Sequence, residues 1–132
     1  MAFSNSISKL SAKRLFLIDG IGATASAIFL GIILVRFNEW IGMPVNVLYI
    51  LAALAVVFGC YSLSCHFLSI LNWRSWLRLI AIVNLLYCLT TLILLIWYID
   101  LLTPLGISYF TLEIAIIIIL VSLEFKCIAN AD

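Results

Sequence analysis

Long apolar runs, each broken by a few polar or turn-forming residues, set the pattern of this chain. A run of about 20 apolar residues matches the hydrocarbon thickness of a bilayer, and four such runs occur: Leu15 to Phe37, Asn46 to Leu71, Trp76 to Ile99 and Leu105 to Phe125. Between them lie Asn38 to Pro44, Asn72 to Ser75 and Asp100 to Pro104, and each break holds a turn former or a residue suited to start a helix. Links this short force neighbouring helices to run antiparallel. The pattern predicts an all-α integral membrane protein, a four-transmembrane-helix bundle running up-down-up-down.

The predicted organisation has three parts: a cytoplasmic N-terminal segment (1–14), the four-helix domain (15–126) and a cytoplasmic tail (127–132). In the first, Phe3, Ile7 and Leu10 stand at helical spacing beside Lys9 and Lys13, the pattern of a short interfacial helix; a frayed terminus is the alternative. Lys13-Arg14 and the small residues Ala23-Thr24-Ala25 and Ala25-Ser26-Ala27 imitate a signal peptide. Asp19, Gly20 and Gly22 interrupt the would-be apolar region, however, and the run continues through Val35 to spanning length. The first run is therefore expected to be a membrane helix.

Composition sharpens this reading. Of 132 residues, 67% are hydrophobic and 10% charged, against about half and a quarter in soluble domains, and mean hydropathy is +1.32. Too few polar residues are present to cover a water-soluble surface of this size, so lipid is the expected solvent. A net charge of +1 supplies no basic face for nucleic acid. Cys60, Cys65, Cys88 and Cys127 lack CxxC spacing and are expected to be reduced. Lys9, Lys13, Arg14, Arg74, Arg78 and Lys126 fall on one side of the predicted topology, with Arg36 alone on the other. That asymmetry predicts cytoplasmic termini in an inner (cytoplasmic) membrane.

Helices in lipid meet through small residues and through polar groups that need partners. Ala23, Ala27 and Gly31 recur every four residues in the first run, with Asp19 one turn earlier, and Ala55 and Gly59 answer in the second. These two helices are expected to pack closely, with Asp19 pointing at a neighbour. In the third run Asn84, Tyr87, Cys88 and Thr91 form one polar stripe. Glu113 and Glu124 of the fourth are eleven residues apart, close to three turns, and so share a face with Leu120 between them.

Counting inward places Glu113 near the midplane, where a charge costs roughly 2.5 to 3.5 kcal/mol. Its expected partners are Tyr87 and Asn84. Two readings of Glu113 stay open: a proton or cation site, and a neutral acid whose hydrogen bonds join two helices. Asp19, His66, Arg78 and Glu124 form a second polar layer nearer the cytoplasm. There Arg78 either snorkels to headgroups or pairs with Asp19, and His66 lies beside Ser62 and Ser69. No metal site or cofactor is expected.

Three families of small four-span proteins fail on particular residues. Small multidrug transporters carry their acid mid-way along the first span, where this chain has Ser26; four-helix quinone reductases need a CxxC; fluoride channels have a Gly-rich opening with an Arg in the first span. Leu17-Ile18-Asp19-Gly20-Ile21-Gly22-Ala23, Gly42-Met43-Pro44, Asn84-Leu85-Leu86-Tyr87-Cys88 and Leu123-Glu124-Phe125-Lys126 resemble a group of small uncharacterised four-span bacterial membrane proteins over nearly the whole chain. The resemblance implies a polytopic membrane protein and no particular activity.

Three functions fit. The first expected is a non-enzymatic structural or accessory membrane subunit, because short loops leave little outside the bilayer; its partner would be another membrane protein or a second copy docked on the Ala23/Ala27/Gly31 ridge. The second is a small oligomeric transporter or channel with Glu113 and Asp19 as ionisable steps, lined by Asn84, Tyr87 and Thr91. The third, a lipid-modifying enzyme, rests on Asp19, His66, Arg78 and Glu124 gathering at one headgroup layer.

Overall fold

The computed structural model describes residues 2–68 and 72–130. Among them every element is helical: α1 (Ala2–Ile28), a π-helical turn (Phe29–Ile33), α2 (Leu34–Arg36), α3 (Asn38–Ile41), α4 (Val45–Leu68), α5 (Trp73–Trp97) and α6 (Pro104–Asn130). Three stretches are long and apolar enough to cross a membrane, namely Ser11–Arg36, Val45–Leu68 and Trp73–Trp97. Ser69 and Leu71, as well as the side chains of Phe3, Ile7, Lys9 and Leu10, lie outside the described residues.

The helix ends depart from the predicted boundaries. No break separates an N-terminal segment from the first run, because α1 is continuous from Ala2. Likewise α6 extends to Asn130 and takes in most of the predicted tail. Packing supplies the reason. Ala12, Leu15 and Phe16 are buried in one apolar cluster with Trp73, Leu77, Cys127 and Ile128, so the two helix ends cover each other. Burial of that apolar area offsets the fraying that an isolated terminus would undergo.

At the other end of the bundle α1 passes through the π-helical turn, in which the Leu34 N–H donates to the Phe29 carbonyl. The chain then reverses through α3. Asn38 Nδ2 donates to the Met43 carbonyl, and Gly42 takes φ 93°, a left-handed conformation that favours glycine. Against this turn lies the start of α6. The Thr103 N–H donates to the Ile41 carbonyl at 3.0 Å, and the Thr103 hydroxyl donates to the Trp40 carbonyl while accepting from the Gly106 N–H at 3.1 Å. A Cβ on Gly42 would fall on the Leu101 carbonyl, and one on Gly106 on the Ile41 carbonyl. The two turns are thus locked backbone to backbone.

Of the helix pairs, α1 with α4 and α5 with α6 are the most extensive, and α1 also packs along α6. Small residues set the first approach. A Cβ placed on Gly31 would lie 3.3 Å from Ala52 Cβ, and one on Gly59 would lie 3.5 Å from Ala23 Cβ. Besides the cluster at the helix ends, a second apolar cluster surrounds Leu30, Leu48, Leu51 and Phe110 near the α3 turn. Along their helices the buried Asp19, Asn84 and Glu113 fall between residues of these two clusters.

Candidate functional site

Asp19 departs from its predicted ridge. Its neighbour Gly20 faces α4, where a Cβ would meet Leu63, whereas the Asp19 carboxylate points to α5 and α6. There Asn84 Nδ2 donates to Oδ1 at 3.2 Å and to Oδ2 at 3.0 Å. Glu124, fully buried on α6, brings its carboxyl group beside both Asp19 and Asn84. Neither oxygen of Glu124 has a geometrically sound hydrogen bond within the described structure. Three helices thus converge on one polar layer.

A second layer forms around Glu113. The Tyr87 hydroxyl donates to Glu113 Oε1 at 2.9 Å, which joins α5 to α6 as the polar stripe suggested. The hydroxyls of Ser26 and Tyr109 stand near the same carboxyl, yet Oε2 is buried without a well-formed partner. Asn84, the other expected partner of Glu113, is committed to Asp19. All four stripe residues, Asn84, Tyr87, Cys88 and Thr91, are buried.

A cavity of about 410 Å³ separates and connects the layers. Asp19, Ser26, Asn84, Tyr87 and Glu113 supply its polar wall, and Ala23, Ala55, Phe58, Ile117 and Leu120 are among its apolar ones. At the end nearer the α3 turn Phe29, on the π-helical turn, stacks on Tyr109 with ring centroids 6.1 Å apart. π-Helical turns recur where helices are reshaped around functional sites, and here the turn begins at a residue of the cavity wall.

The remaining candidates lie elsewhere. Arg78 is exposed, so the alternative pairing with Asp19 is not formed; Asp19 takes an amide donor instead. His66 Nδ1 bonds the Lys13 carbonyl at 2.8 Å, away from the acids. The proposed gathering of Asp19, His66, Arg78 and Glu124 is therefore only half assembled, with the two carboxyls together and the two bases apart. All four cysteines lack disulfides, and Cys60 faces outward while Cys88 is buried. Among the described residues no group of three or more His, Cys, Asp or Glu side chains is arranged to hold a metal ion.

Sequence reasoning passed over Ser26 and Tyr109 as members of the site, although a signal existed for each. Tyr109 precedes Glu113 by one helical turn, and Ser26 follows Asp19 by two. Gly22 and Ala25 gave no such signal, since small residues in a membrane helix are read first as packing. Comparison with family models, curated proteins and solved structures finds no match to this chain.

Proposed function

We propose that this chain is a small multi-pass membrane transporter that accepts a proton at Glu113 and Asp19. In this reading α6, with 27 residues or about 40 Å of helix, is the fourth span. Both termini face the cytoplasm, following the distribution of basic residues. The observation that carries the reading is the cavity: it places two acids from different helices on one internal space, and one oxygen of Glu113 has no well-formed partner. Buried ionisable groups in lipid are costly and are retained where a pathway needs them. A carboxyl with few ligands around it is a site for a proton before it is one for a metal ion, which needs several oxygens.

A competing reading makes the chain an accessory subunit in which the Tyr87–Glu113 bond is a strut between α5 and α6. Two features weigh against it. A strut needs no cavity beside it, and the small-residue ridge offered for a partner is occupied inside the chain by α4. Proton flux separates the readings. In vesicles carrying a pH dye and a potassium diffusion potential, the wild-type chain is expected to pass protons faster than Glu113→Gln, whose side chain still accepts the Tyr87 hydrogen bond. Equal rates in two preparations of equal helicity would overturn the transporter reading.

A further inference from the structure

The cavity has one side that the bundle does not cover. Gly22 and Ala25 of α1 and Leu112 and Ile116 of α6 border it while being exposed on the outer surface. A Cβ added at Gly22 would meet nothing within 4 Å. Along the bundle axis, by contrast, the space is flanked by the two packed apolar clusters. The opening therefore faces sideways, between α1 and α6, onto what a membrane would fill with acyl chains.

We infer that the cavity takes a small lipid-soluble cation, an alkylammonium ion, which enters from the bilayer through the gap between α1 and α6. The inference rests on the transporter reading of the same site and names its substrate class. Charge decides the sign: Asp19 and Glu113 border the space, and among the described residues no Lys, Arg or His side chain does. An anion would meet two acids, and a neutral molecule would leave the carboxyls without a counter-charge. Tyr87, held edge-on to Phe58 at 5.8 Å between ring centroids, and Tyr109 add aromatic surface suited to an ammonium group. Volume limits the size. With about 30 Å³ as the share of one water molecule in the liquid, 410 Å³ is the space of roughly fourteen waters, which suits a polar head with a short tail. The apolar walls at Ile117 and Leu120 suit that tail.

The test is calorimetric titration of the full chain in nanodiscs of zwitterionic lipid, with empty nanodiscs subtracted. The probes are octyltrimethylammonium, 1-octanol and octyl sulfate, which share a tail and differ in charge. Octyltrimethylammonium is expected to bind saturably at one site and the other two not at all. Glu113→Gln is expected to weaken that binding about tenfold or more, as removal of a buried counter-charge does. Gly22→Phe, which the open space accommodates, is expected to slow loading at least about tenfold, because a ring in the gap blocks the approach; Ile116→Trp on the opposite lip provides the same block independently. Absence of saturable octyltrimethylammonium binding, or equal binding of octyl sulfate, overturns the ligand class. Unchanged loading in both lip variants overturns the entry route. Proton flux that Glu113→Gln abolishes, in a protein that binds no ammonium ion, would sink this inference and leave the transporter reading standing. Ammonium binding without proton flux would do the reverse.

Discussion

Gly20 and Gly22 stand two residues apart on α1 and face opposite surroundings, so the same substitution has opposite expected effects. At Gly20 a Cβ would lie 2.6 Å from Leu63 Cγ, 2.7 Å from Cδ2 and 3.2 Å from the Leu63 backbone nitrogen. Carbon atoms pack best at about 3.5–4.0 Å. Rotating Leu63 relieves the first two contacts but not the third, so α1 and α4 must also separate slightly. Such overpacking costs about 1–3 kcal/mol, offset by about 1 kcal/mol of helix propensity gained on replacing glycine. Gly22→Ala meets nothing within 4 Å and keeps only the gain. The two variants should therefore differ in stability by about 1–3 kcal/mol, with Gly20→Ala the weaker. Reversible unfolding in mixed micelles, followed by helical circular dichroism as the SDS fraction rises, measures both. In a Leu63→Ala background the Gly20→Ala cost should shrink, giving a coupling of at least about 0.5 kcal/mol. Equal stability of the two alanine variants, or a Gly20→Ala cost that Leu63→Ala leaves intact, would refute the α1–α4 seam described above.

Gly42→Ala combines a left-handed backbone with a Cβ directed at the Leu101 carbonyl, and a loss of about 2 kcal/mol or more is expected in the same unfolding assay. Thr103→Val keeps the shape but removes the hydroxyl that links Trp40 and Gly106; about 1–2 kcal/mol should be lost, with hydrogen exchange rising at Gly106. Tyr87→Phe and Glu113→Leu form a double-mutant cycle in which each single change removes the bond; the coupling should lie between the average of about 0.6 kcal/mol and the maximum of about 1.7 kcal/mol measured for hydrogen bonds between membrane helices. A coupling of zero would mean that the Tyr87 hydroxyl does not bond Glu113. Asn84→Leu removes the donor from both Asp19 oxygens; the expected cost is about 1–3 kcal/mol, partly recovered when Asp19→Asn is added.

Helical period made some of this architecture legible. Asn84, Tyr87, Cys88 and Thr91 fall on one stripe by spacing alone, and all four are buried. Glu113 and Glu124 share a face by the same count, and both are buried on α6. Depth was legible in part, because Glu113, counted to the midplane, and Ser26, mid-way along the first run, border one cavity. Rotation was not. A step of four residues advances a helix by 400°, so each four-residue step drifts about 40° around the axis. Asp19 at the head of the Ala23, Ala27, Gly31 series accordingly faces α5 and α6, where an amide is available, while Gly20 takes the α4 side.

That rotation is what turns a packing motif into a site. Had Asp19 faced α4 with the small residues, it would have met Leu63 and Gly59, which offer no side-chain donor, and its burial would have cost stability without return. Turned the other way, it meets Asn84 and Glu124, and the small residues beside it, Gly22 and Ala25, become the rim of an opening instead of a seam. The same run thus carries two kinds of small residue with different work: Gly20 on α1 and Gly31 on the π-helical turn admit a neighbouring helix, and Gly22 leaves space that no described neighbour fills. A sequence motif of glycine and alanine at four-residue spacing does not distinguish them, because the distinction lies in what stands opposite. Among the described residues nothing stands within 4 Å of a Cβ at Gly22, and the cavity wall behind the gap carries the two acids.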